Sequence, residues 1–220
     1  MNTKSGNTQK LVVHGLLAAV AFAAVALSRL FPPVVLFLKF DPKDVILVIG
    51  GFLYGPLSAC ILSVVVSLIE LFTISDTGLW GLLMNVLSSC AFACVASFLY
   101  KKRRKLSGAV IGLILGVLVM TAVMLLWNYL ITPLYMAASR EAVAAMLLPV
   151  FLPFNLLKGG LNAALTILLY RPLSSALRHA RLLPETPVQQ NRHTHVGVLV
   201  ISLLVLASGV LAILAFQGVI

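Results

Sequence analysis

The sequence predicts an all-α membrane protein, a bundle of six transmembrane helices followed by a seventh C-terminal one. Three observations carry that expectation. Of 220 residues, 61% are hydrophobic and only 10% are charged, and mean hydropathy is +1.09, a composition typical of lipid-embedded chains. The apolar residues fall in runs long enough to span a bilayer. The basic residues collect between those runs. No stretch has the composition of a large soluble domain, so an ATPase or a Rossmann unit is excluded. The formal net charge of +10 then reports loops at a membrane surface and not nucleic-acid binding. The expected organisation is a six-helix membrane domain over residues 1–183, a polar linker over 184–195 and the additional helix within 196–220.

The elements follow in order. Met1 to Lys10 is polar, and the apolar run Leu11 to Phe31 reads as the first spanning helix. No small-x-small cleavage site leads from it into a soluble domain, which argues against a signal peptide. Gly15, Ala19 and Ala23 recur every four residues. Such a stripe lets another helix approach closely, whether inside the bundle or on a partner. Phe31 to Asp44 reads as an external loop, apolar enough to act as a lid or a re-entrant piece. It carries two adjacent prolines, then Lys39, Asp41, Lys43 and Asp44. The second helix is placed at Val45–Tyr54, and Gly55-Pro56 marks a tight turn. The third covers Leu57–Phe72, with Glu70 near its end. After a loop from Thr73 to Trp80, the fourth covers Gly81–Tyr100 and stops at the basic run Lys101–Lys105. The fifth covers Ser107–Ile131 and is followed by an outer loop, Thr132 to Ala145. The sixth covers Met146–Tyr170, and Val196–Phe216 is long enough to span again.

Charge sets the orientation. With the N-terminus in the cytoplasm, eleven of the sixteen lysines and arginines fall on the inner side: Lys4, Lys10, Lys101 to Lys105, Arg171, Arg178, Arg181 and Arg192. Four fall outside: Arg29, Lys39, Lys43 and Arg140. Lys158 lies within the membrane.

That lysine sits in LLPVFLPFNLLKGGLNAAL, Leu147 to Leu165, together with Asn155 and Asn162. The spacings i, i+3 and i+7 put all three on one helix face. A lysine at mid-membrane costs about 3 kcal/mol on insertion scales, so it needs a partner, for which Glu70 is the candidate. Pro149 and Pro153 predict a bent entrance to this helix. Asn85, Glu70, Asn128, Asn155 and Lys158 all fall in the outer half of the bundle, where polar groups must face the interior or a wet cavity. Trp127, Tyr129, Phe151, Phe154 and Phe40 lie near the same level. They suit stacking on a flat ring or an interfacial aromatic belt.

LKFDPKD (Leu38–Asp44), IGGFLYGP (Ile49–Pro56), NVLSSCAF (Asn85–Phe92), LLWNYLITPLYM (Leu125–Met136) and FLPFNLLKGGLNAAL (Phe151–Leu165) strongly resemble the riboflavin-specific S component of energy-coupling factor (ECF) transporters. The similarity runs along Leu11–Leu183. It implies a six-helix S-component bundle in a prokaryotic cell membrane, binding riboflavin as transported substrate near the extracellular side, with no cofactor. Asn128, Asn155 and Lys158 would meet the polar pyrimidine edge of the ring. An amide offers a donor and an acceptor and an ammonium offers donors, which matches an edge that alternates carbonyls with an N–H. The loop Leu38, Lys39, Phe40 and Asp41 would cover the site, aromatic side chains including Trp127 would sandwich the ring, and Thr73 and Asn85 would meet the ribityl chain. Gly15, Ala19 and Ala23 would dock the transmembrane coupling subunit. Two cytoplasmic ATPases would complete the importer, and toppling of the S component would release the vitamin inward. The seventh helix departs from the family pattern.

Other classes fit less well. A stand-alone facilitator or secondary transporter is the alternative, but no inverted repeat is evident and proton-relay carboxylates are scarce. No nucleophile–base pair, metal-ligand cluster or P-loop suggests an enzyme. Cys60, Cys90 and Cys94 lie in apolar segments and read as small buried hydrophobes. His193 and His195 alone are too few for a metal site.

Overall fold

The computed structural model describes residues 3–34, 38–183 and 193–216. Among these the chain forms α-helices and one π-helical turn, with no strand. In order they are α1 (Thr3–Ser28), α2 (Lys43–Tyr54), α3 (Pro56–Thr73), α4 (Gly78–Lys102), α5 (Leu106–Met136), α6 (Arg140–Met146), the π turn Leu147–Phe151, α7 (Leu152–His179) and α8 (His193–Phe216). Among the described residues six stretches are long and apolar enough to cross a membrane: Asn7–Ser28, Pro56–Thr73, Gly78–Lys102, Leu106–Met136, Arg140–His179 and Val196–Ala215. The short α2 is not among them. It is the axis of the bundle, buried from Lys43 to Phe52 and packed on α1, α3, α4 and α7.

Small residues set the tight crossings. α4 and α5 meet where Gly112 faces the Ala96 carbonyl and Gly116 faces the Phe92 carbonyl. A Cβ on either glycine would stand 2.7 or 2.8 Å from that oxygen, so only glycine allows the helices this close. Gly55, at φ +100°, turns the chain between α2 and α3, and Pro56 then fits the first turn of α3. At this end Phe52, Tyr100 and Tyr170 cluster, and the two tyrosine hydroxyls lie 3.1 Å apart.

Several expected boundaries move. The N-terminal stretch expected as a polar tail is helical from Thr3. Lys43 and Asp44, expected in a loop, form the first turn of α2 and are fully buried. α5 runs through Pro133 to Met136, and α5 and α6 together take up most of the expected loop. What remains is a short turn, with Ala137 at φ 51° and the Ser139 hydroxyl accepting from the Ala142 N–H at 3.2 Å. α7 continues past Tyr170 to His179. Its end is tied to α1 by the Gln9 side chain, which donates to the Arg181 carbonyl. The bent entrance expected at Pro149 is the π turn. Proline has no N–H for the regular ladder, and the register widens there.

α8 covers the predicted seventh span and packs against α7 alone among the helices it substantially touches. Only 11% of its spanning window is buried. Residues 184–192 of the expected linker lie outside the described residues. Since α8 lines no part of the cavity described next, deleting everything after Leu183 leaves substrate affinity unchanged in an equilibrium titration. Loss of binding would instead make α8 part of the site.

Candidate substrate-binding cavity

Asn155 and Lys158 enter from α7, one turn apart, both at least nine-tenths buried. Asn128 enters from α5. The three converge on one cavity at the end of the bundle where α1, α3 and α5 finish and α2, α4 and α7 begin. It encloses about 940 Å³ of atom-free space, its open mouth included. Met124 and Phe154 supply apolar wall, and Trp80, Met84 and Ser88 of α4 face them. Tyr135 closes one side. Leu38, Lys39, Phe40 and Asp41, the loop expected to cover the site, line it as well.

The asparagines are held by their own helices. Asn128 donates its amide to the Met124 carbonyl at 2.7 Å and accepts from Thr132 at 2.9 Å. Asn155 donates to the Phe151 carbonyl at 2.7 Å, at the end of the π turn. Each amide nitrogen keeps a second hydrogen and each oxygen keeps acceptor capacity. The site therefore offers preoriented donors and acceptors without reorganising its backbone.

Beneath the cavity lies a buried charge network. Lys158 pairs with Asp44 at 3.7 Å, and the Ser89 hydroxyl donates to the other Asp44 oxygen. Lys43 Nζ bridges Glu70 at 2.6 Å and Asp41 at 2.7 Å. Asn85 donates to the second Glu70 oxygen at 3.1 Å. Glu70 is thus the partner of Lys43, not of Lys158 as expected. Glu70 is committed to two donors, while Asp44 lies against the lysine. The arrangement satisfies the rule that buried ions persist when paired.

The same network anchors the cover. The Asp41 side chain accepts from the Lys43 backbone N–H at 3.1 Å, and its carbonyl accepts from Asn162 at 3.0 Å. Burial would raise the Asp41 carboxyl, but the ammoniums of Lys43 and Lys158 outweigh it and hold the group below the usual carboxylate range. Val34 and Leu38 pack with Val143, Phe151 and Phe154 in a small apolar cluster. At the rim, Asp76 meets Arg29 at 3.5 Å and Lys39 at 3.7 Å.

Two expected site residues are elsewhere. Thr73 is exposed, and its hydroxyl is spent on the Ile69 carbonyl. Trp127 is not among the residues that line the cavity and packs against the central core. Of the expected aromatics, Phe40 and Phe154 line the cavity; Phe151 lies in the cluster behind the cover, and Tyr129 meets Arg140. Missed residues had a periodic signal. Tyr135 follows the expected Asn128 at i+7, and Trp80, Met84 and Ser88 follow i, i+4, i+8. Gly15, Ala19 and Ala23 all face outward from α1, opposite the buried Val13, Leu17 and Ala21.

Comparison with known proteins agrees with this architecture. The family model "ECF transporter, substrate-specific component" matches residues 9–170. The chain is 29% identical over 196 residues to the riboflavin transporter FmnP of Bacillus subtilis (strain 168), covering 85% of this chain and 98% of that one. It is 29% identical over 177 residues to the riboflavin transporter RibU of Staphylococcus aureus (strain TCH60), covering 77% and 93%. Among solved structures, the S component of a bacterial ECF transporter superposes with a TM-score of 0.65 at 29% identity, covering 78% of this chain and 98% of that chain.

Proposed function

The chain belongs to the substrate-specific components of ECF transporters, and from that premise we propose that its cavity binds riboflavin as transported substrate. The observation that carries this is the convergence of Asn128, Asn155 and Lys158 in one cavity with Phe40, Phe154, Trp80 and Tyr135. Two amides and an ammonium match a ring edge of alternating carbonyls and N–H. The aromatic walls match its faces. Ser88, whose buried hydroxyl lines the cavity without a hydrogen-bond partner, replaces Thr73 as a ribityl contact beside Asn85. The names of the curated relatives support the same substrate. The chain is a transport protein, not an enzyme.

The remaining parts of the assembly follow as proposals. The chain sits in a prokaryotic cell membrane with its N-terminus in the cytoplasm, a reading that the basic run Lys101–Lys105 supports. A coupling membrane subunit docks on Gly15, Ala19 and Ala23, and two ATPase subunits supply the energy that this chain has no P-loop to supply. Purified protein carries bound flavin and is yellow.

The test is titration by quenching of flavin fluorescence. Lys158→Met and Asn155→Leu each weaken riboflavin binding by on the order of 1–3 kcal/mol, the cost of removing one partner from a buried polar contact. Unchanged affinity in both variants would remove these residues from the site.

A further inference from the structure

Cys60, Cys90 and Cys94 take no part in the cavity or its charge network. Their positions in sequence suggest three separate small residues, yet the fold brings them together. Cys90 and Cys94 stand one turn apart on the same face of α4, and Cys60 faces them from the first turns of α3. The three sulfurs all lie within 4.8 Å of one another. Cys60 and Cys90 are 3.8 Å apart, and Cys94 reaches the Pro56 carbonyl at 3.5 Å. All three are free thiols and only partly buried.

We propose that Cys60, Cys90 and Cys94 form a trigonal thiolate site for a soft monovalent cation, with copper(I) as its representative. Sulfurs bound to one metal ion at about 2.3 Å stand roughly 4 Å apart, which is close to the spacing already present. The helices therefore need not move to close the site. Donor chemistry selects the ion. Among the described residues no histidine or carboxylate joins the three cysteines. An all-thiolate set prefers soft ions over magnesium, calcium or manganese. Zinc in a structural site takes four protein ligands, whereas three are present. On binding, each ligating thiol gives its proton to solvent and the ion keeps its oxidation state, so no oxidant or reductant is consumed. The bound ion ties α3 to α4.

The experiment uses the full chain in detergent under anaerobic conditions, titrated with copper(I) buffered by bicinchoninate. The wild type withdraws a single equivalent from the chelator, and its thermal midpoint rises. Cys60→Ser and Cys90→Ser, verified as folded by gel filtration and helical circular dichroism, lose both effects. Should these variants fail to fold, the X-ray absorption spectrum of the copper-loaded wild type decides, with a sulfur-only shell expected. The proposal is overturned by absence of withdrawal from the chelator, by full binding in folded serine variants, or by nitrogen and oxygen ligands in the spectrum.

Discussion

Lys43→Met lowers the stability of the bundle by about 3–5 kcal/mol, the cost of leaving buried charges without their partner. Lys43 is fully buried and its ammonium bridges Glu70 and Asp41 at 2.6 and 2.7 Å. Methionine fills much of the same space but neutralises neither carboxylate. The loss extends to the loop before α2, because the Lys43 ammonium that holds the Asp41 carboxylate at 2.7 Å is gone. Adding Glu70→Gln to the Lys43→Met chain recovers part of the loss, since it removes one orphaned charge while keeping a hydrogen-bond partner for Asn85. Thermal unfolding in detergent, with and without riboflavin, measures both. A Lys43→Met chain as stable as the wild type would show that the pair contributes nothing to holding α2 against α3.

Ala23→Trp leaves riboflavin affinity intact and abolishes ATP-driven uptake in vesicles that contain the coupling subunit and ATPases. Ala23 lies on the exposed side of α1, in line with Gly15 and Ala19. A Cβ at Gly15 would meet nothing within 4 Å, so this side of the helix is not pressed against the rest of the chain. A large side chain there has room in the isolated protein but keeps a partner helix from lying flush. Binding and transport therefore separate. Continued uptake would move the docking surface elsewhere. Uptake without the ATPases would favour a stand-alone facilitator.

The membrane class, the long helices and the extra C-terminal span were legible because hydropathy is a local property. The polar face of α7 was equally legible, since Asn155, Lys158 and Asn162 follow one helical period and all three are buried. The short α2 was harder to place. Its charged first turn, Lys43-Asp44, looks like loop sequence until Glu70 and Lys158 are seen to receive it. Thr73 carries a hydroxyl suited to a polyol chain, but its own helix takes that hydroxyl. Trp127 lies near the level of the polar residues, and the rotation of α5 turns it toward the core.

By itself, then, the sequence determined which segments enter the membrane and which of their faces carry polar groups, because both depend on residues within a few turns of one another. Only the tertiary structure decided which distant groups meet. It paired Lys158 with Asp44 and Lys43 with Glu70, and it gathered Cys60, Cys90 and Cys94. Such pairings depend on the rotation and depth of each helix against its neighbours. Those are set by close packing at points such as Gly112 and Gly116, where side-chain volume and not hydropathy is the controlling quantity.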